Sequence, residues 1–218
     1  MNVSCWLGGS VVMNLGEWFN YLILDYLGHS VEYRDTGEVY MIIGSEFHSR
    51  KVNQLLKTAD IVHIWGQGNG RPDIAPMLPH PRVKVHALRG PITARVSKVT
   101  GVPLCDPGWL LPIVLPLECH ISKEVLHIPH HSQRPGRPPW IDVMLRKEQV
   151  IPTIQRIVNA KKVMTNTLHT MILCKAYGVP CELCSGELNM PQKWDDVFHS
   201  DLVPRQHSTD ALLESFPL

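Results

Sequence analysis

The stretch "TNTLHTMILCKAYGVP", Thr165 to Pro180, sets His169 where a strand hands over to an apolar helix, with Thr167 and Leu168 just ahead of it. A histidine there can be a hydrogen-bonded helix-start residue, a metal ligand or an acid/base, because its ordinary pKa lies close to neutral pH. Other chemistry-bearing residues fall at similar joints. Arg89 precedes Gly90 and Pro91, and its planar fork of donors matches a carboxylate or a phosphate. Asp106 stands before Pro107. The loops "GGSVVMNLGEW", "GSEFHSR" and "GQGNGRPD" carry Asn14, Gly16, Glu17, Gly44, Ser45, Gly66 and Gly68, and "IPHHSQRPGRPP" adds His130 and Arg134. Glycine turns at helix starts let backbone N–H groups approach an anionic oxygen, whose charge the helix dipole favours. Gathered on one rim, these loops point to a phosphate or a carboxylate as ligand. The pattern is neither a Walker loop, since no Gly-Lys-Ser/Thr occurs, nor the dinucleotide fingerprint.

Each residue also has a plainer reading. His169 can be a structural histidine, Arg89 a cap on neighbouring carbonyls, and Asp106 the turn former of an Asp-Pro pair. His130 and His131, with Arg134 and Arg137, can be a solvated loop. Twelve histidines invite a metal, but no H-E-x-x-H motif is present and no metal site is expected. Cys181 and Cys184 form a single C-x-x-C behind a strand, with no second pair to complete a zinc ribbon, and read as strand-end thiols.

The elements that must position these residues alternate short apolar runs with amphipathic ones, the pattern of an α/β protein with parallel sheets. Strands are expected at 2–7, 39–45, 60–70 and 82–90, with helices at 16–28, 48–59 and 91–99. A second cycle predicts strands at 123–131, 140–145, 161–166 and "VPCELC", with a helix at 148–160 and another in the opening segment. The proline-punctuated 110–122 reads as a crossover, which divides the chain into lobes at 1–118 and 119–218. The tail after Gly186 is polar and irregular, either a helix packed back or a loose end. In open α/β sheets ligands bind beyond the carboxyl ends of the strands, where the unusual residues of this chain lie.

Composition narrows the function classes. With 218 residues, 44% hydrophobic and 19% charged, the chain can build a packed core. Its net charge of +1, without a basic run, argues against a nucleic-acid or membrane-surface role. No apolar run has the roughly 18 residues of a spanning helix. The N-terminus lacks the basic n-region of a signal peptide, and a cytoplasmic location is expected.

The order of motifs resembles the polysaccharide pyruvyl transferase family. Asn14-Leu15-Gly16-Glu17, Gly44-Ser45 with His48, "WGQGNG", "LRGPITARV…GVPLCDPGWLLP", "IPHH" and "TLHTMILCKAYGVP" follow one another over roughly residues 10 to 185. The resemblance implies two Rossmann-like lobes in a compact, glycosyltransferase-B-like arrangement. It also implies transfer of pyruvate from phosphoenolpyruvate to a saccharide or lipid-linked saccharide, with no cofactor. On that basis His169 takes the acid/base role, Arg89 clamps an anion, and Asp106 orients a catalytic group or accepts a hydroxyl proton. His130 and Arg134 would contribute from the second lobe. Three positions depart from the family pattern: Glu17 stands where Asp is usual, Thr167 where Arg or Ser precedes the Leu-His pair, and Thr170 where Gly follows it. A sugar-nucleotide transferase of similar fold and a non-catalytic binding relative remain as alternatives.

Overall fold

The computed structural model describes residues 1–3, 10–76, 78–133, 140–184, 190–198 and 206–217. β1 (Asn2–Val3) and a short β2 (Val12–Asn14) lead into α1 (Leu15–Tyr26). There follow β3 (Gly37–Met41), α2 (Ser49–Leu55), β4 (Ala59–Gln67), β5 (Val83–Leu88) and α3 (Pro91–Ser97). A 3-10 turn over Pro107–Leu110 runs into α4 (Leu111–Val114). The second half holds β6 (Val125–Ile128), β7 (Met144–Arg146), α5 (Lys147–Val158), β8 (Lys162–Thr165), α6 (Leu168–Ala176) and β9 (Cys181–Leu183). Two helices close the chain, α7 (Pro191–Phe198) and α8 (Gln206–Glu214).

The expected α/β architecture with parallel sheets is present. β1, β3, β4 and β5 form one parallel sheet, and β6, β8 and β9 form another. Single parallel bridges, Asn2 to Glu32 and Leu88 to Leu104, extend the first sheet at both edges. The strand order therefore reverses between β1 and β3: the chain steps outward from β1 to Glu32, then returns past β1 to begin β3. Such a reversal sends the following helices to opposite faces and opens a crevice at the carboxyl ends of the two strands. The burial pattern agrees. Val39, Met41, Val62 and Ile64 pack with Val52 and Leu55 of α2, whereas Tyr40, Ile42 and Trp65 face the cluster that contains α1.

α1 starts at Asn14, whose side chain accepts a hydrogen bond from the Gly16 N–H, and the Glu17 carboxylate lies in its positively polarised first turn. Its apolar residues at helical spacing, Leu15, Trp18, Phe19 and Ile23, are buried in one core with Trp109, Leu110, Ile172 and Leu173 of the 3-10 turn and α6. That core is continuous across both sheets. α6 is buried over most of its circumference, through Leu168, Thr170, Met171, Ile172, Leu173 and Cys174.

Two elements differ from the sequence expectation. Residues 140–145 do not add a strand to the second parallel sheet; β7 pairs antiparallel with β2, joining the lead-in to α1 to the lead-in to α5. The Trp18 indole N–H donates to the Leu145 carbonyl and locks this ribbon onto α1. β3 ends at Met41 rather than running on to residue 45, which frees Ile43, Gly44 and Ser45 for the rim. The tail packs back as helices: the Trp65 indole donates to the Leu212 carbonyl, and Phe216 meets the Trp65 ring edge-on. Among the described residues no helix is long and apolar enough to cross a membrane.

Gly66, inside β4, has φ +78°, and a Cβ there would lie 2.3 Å from Pro107 Cδ. Gly66→Ala combines a left-handed backbone with this clash, and we expect it to lower stability by about 1–3 kcal/mol. A thermal midpoint within a degree of the parent protein would contradict that expectation.

Candidate functional site

A cavity of about 460 Å3 opens at the crevice between β1 and β3, facing the carboxyl ends of the second sheet. Asn14 and Glu17 enter it with the start of α1, and Gly44, Ser45 and His48 with the loop from β3 to α2. From the other side His130 and His131 follow β6, while Thr167, Leu168 and His169 lie at the start of α6. Arg50, Arg71 and Lys193 give the wall three cations against the carboxylates of Glu17 and Glu46. Such a wall suits an anionic ligand.

His169 and Asp106 meet at this wall. His169 Nε2 lies 3.5 Å from Asp106 Oδ2, with the Asp106 side chain fully buried. The other carboxylate oxygen of Asp106 accepts from the Gly108 N–H at 2.9 Å, which fixes its plane at the start of the 3-10 turn. Nε2 is sealed from solvent and faces Asp106 Oδ2 at ion-pair distance, with no hydrogen bond to either atom. A carboxylate behind an imidazole in this way sets its orientation and steadies its protonated form. Gly16 leaves space for the ring: a Cβ at that position would sit 2.2 Å from His169 Nδ1. Phe19 packs edge-on against the same ring.

Arg89 is placed elsewhere. It is 2% exposed and does not line the cavity; its Nε donates to Asp196 Oδ2 at 3.0 Å, and Nη1 donates to the Gly44 carbonyl and Ser45 Oγ. Its contact with the cavity is indirect, through Gly44 and Ser45. Two of the glycines expected to cradle an anion make room for this network instead. A Cβ on Gly68 would fall 2.0 Å from Arg89 Cζ, and one on Gly90 would fall 1.7 Å from the Asp196 carbonyl oxygen. Gly66 likewise abuts Pro107. Arg134 lies outside the described residues, as do Arg137 and Cys5.

Sequence reasoning missed Lys193, Met190 and Asp196, which come from the tail. Arg50 and Arg71 lie in loops noted from the sequence but were not among the site residues expected; of the two arginines expected, Arg89 is turned inward and Arg134 lies outside the described residues. Buried polar atoms without a protein hydrogen bond concentrate near these strand ends, among them Thr167 Oγ1, Asn69 Nδ2 and both amide atoms of Gln67. Thr167 lines the cavity itself, so its hydroxyl retains bonding capacity for a bound molecule.

Two histidines of the site, His130 and His48, are drawn below the ordinary imidazole value. Burial, then the neighbouring His131 and Lys193 charges, draw His130 down to about 4. His48 is lowered as well, by burial first, although Glu46 opposes the shift; its Nδ1 caps α2 by accepting from the Lys51 N–H. The unfolded chain binds a proton near pH 6.5 that the folded chain refuses until about pH 4. Stability is therefore fully present above pH 6.5 and falls as the pH drops through that window, by on the order of 3 kcal/mol for His130. Urea midpoints at pH 7 and pH 4 should differ accordingly, and His130→Gln should narrow the gap. An unchanged gap would contradict this account.

Set against known proteins, the chain matches no family model, no curated protein and no solved structure.

Proposed function

We propose that this chain is a transferase that moves pyruvate from phosphoenolpyruvate onto a pair of saccharide hydroxyls in the building of a polysaccharide. The observation that carries the reading is the buried carboxylate of Asp106 behind His169, at the wall of a cation-rich cavity. The two sheets would correspond to the lobes of a glycosyltransferase-B-like arrangement, acting in the cytoplasm on a free or lipid-linked saccharide.

The chemistry has three demands. A proton must reach C3 of the enol, positive charge must develop at C2, and a hydroxyl must lose its proton as its oxygen bonds to C2. Phosphate leaves with its bridging oxygen, and the second hydroxyl bonds to C2 to close the ketal while its proton passes to the departing phosphate. Imidazole suits such transfers because it gives and takes protons near neutral pH. His169 would deliver the proton, with the Asp106 carboxylate facing its Nε2. Arg50 and Arg71 would draw the charged donor into the cavity and offset the charge of departing phosphate.

The test is release of inorganic phosphate from phosphoenolpyruvate by the purified chain with a panel of short glycans. Release that depends on the glycan supports the reading. Release of a nucleoside diphosphate from a sugar nucleotide instead, with phosphoenolpyruvate untouched, would replace it with a glycosyl transferase.

A further inference from the structure

α7 reaches the cavity from a part of the chain distant in sequence from the strand ends, and it is anchored at two points. The Gln192 side chain donates to the Gly70 carbonyl at 3.2 Å, just beyond the end of β4. One turn on, Asp196 is 2% exposed and receives Arg89 Nε at 3.0 Å, the Thr93 N–H at 2.9 Å and Thr93 Oγ1 at 2.5 Å. Gly90 lets the helix backbone come this close. Lys193 stands three residues before Asp196, so the two share a helix face. The bonds that fix Asp196 thus also fix where the Lys193 stem begins, and Lys193 lines the cavity.

Among the described residues no carboxylate lies within ion-pairing distance of the Lys193 ammonium. The charge that acts on it is the Arg89 guanidinium. Burial, then Arg89, lowers its pKa to about 8. A half-buried cation with no carboxylate at ion-pairing distance among the described residues is relieved by an incoming anion. The lysine offers three donors on a flexible stem, fitted to the several oxygens of a phosphate or carboxylate rather than to one fixed plane.

We propose that Lys193 is a ligand-binding residue for the anionic oxygens of the donor, phosphate or carboxylate, and that the Arg89–Asp196 pair with Gln192 is the device that positions it. This rests on the cavity being the place where a donor such as phosphoenolpyruvate binds, and it adds a contact that the motif resemblance did not supply.

Calorimetric titration of the full chain with inorganic phosphate and, separately, with pyruvate tests the inference and separates the two ends of the donor. Lys193→Ala is expected to weaken binding of one titrant by about ten- to a hundredfold, the usual worth of a charge-assisted hydrogen bond. Lys193→Arg should recover most of that loss. Gln192→Ala, a milder change than any at Asp196, should weaken the same titrant several-fold while the thermal midpoint stays within a few degrees. The Lys193 assignment is overturned if the parent protein binds neither titrant, or if Lys193→Ala binds both as the parent does. The positioning role is overturned if folded Gln192→Ala and Asp196→Asn both bind as tightly as the parent. Lys193-dependent phosphate binding without glycan-dependent phosphate release would leave this inference standing and remove the transferase.

Discussion

Replacing Arg89 with methionine is expected to lower the free energy of unfolding by about 3–5 kcal/mol, the range found when one partner of a buried ion pair is removed. The Arg89 side chain is fully buried and that of Asp196 is 1% exposed, so neither charge can fall back on water. In the variant, Asp196 keeps two donors from Thr93 but loses its counter-charge, and the Gly44 carbonyl and Ser45 hydroxyl each lose a donor. Asp196→Leu should be destabilising for the mirror reason, leaving a guanidinium with two neutral acceptors. The pair removed together should cost less than the sum of the two single losses, because no unpaired charge then remains. Urea unfolding of the parent, both single variants and the double variant forms the cycle. Single losses below about 1 kcal/mol would mean the pair is solvated in solution and would undercut its role in fixing α7.

That pair also explains where the sequence stopped being informative. Arg89 looked like a ligand clamp because arginine beside Gly-Pro at a strand end fits an anion. What decides its role is Asp196, 107 residues further on, in a segment whose local pattern read as an irregular tail. The same distance effect governs the glycines. Gly68 and Gly90 sit at turns, as glycine does by default, but the atoms that forbid a side chain there belong to Arg89 and Asp196. Only the folded chain distinguishes a glycine that admits a ligand from one that admits a neighbour.

Elements governed by short-range patterns were legible. α1, β4, β5, α3 and β8 lie within a few residues of their expected places, since capping, apolar periodicity and β-branched runs are local. β2 was not expected, for its three residues come soon after Gly8-Gly9-Ser10 in the sequence and its partner strand β7 comes from the other half of the chain. At the cavity, Asn14, Glu17, Gly44, Ser45, His130, Thr167, Leu168 and His169 were all named from the sequence, and the strand-order reversal accounts for their meeting. The rule that ligands sit beyond strand carboxyl ends carried that part. Lys193 obeys no such rule, because it arrives on a helix laid across the rim.

His169→Ala is expected to slow glycan-dependent phosphate release by about 10²–10⁴-fold, the usual contribution of a positioned acid or base. Removal of the ring leaves a gap beside Gly16 and Phe19 and takes the facing imidazole from buried Asp106, which keeps the Gly108 N–H, so the thermal midpoint of the variant is measured beside its rate. Asp106→Asn is the sharper probe. Its Oδ1 can still accept from the Gly108 N–H, keeping the turn, while the charge behind Nε2 is lost. If Asp106 orients and steadies the imidazolium, Asn should reduce turnover by less than His169→Ala does and leave the apparent affinity for phosphoenolpyruvate little changed. Combining the two should add almost nothing to the His169→Ala effect, since residues that act as a unit are not additive. Full turnover in folded His169→Ala would take the proton-carrier role away from this residue. Effects of Asp106→Asn and His169→Ala that multiply in the double variant would separate Asp106 from the imidazole it faces.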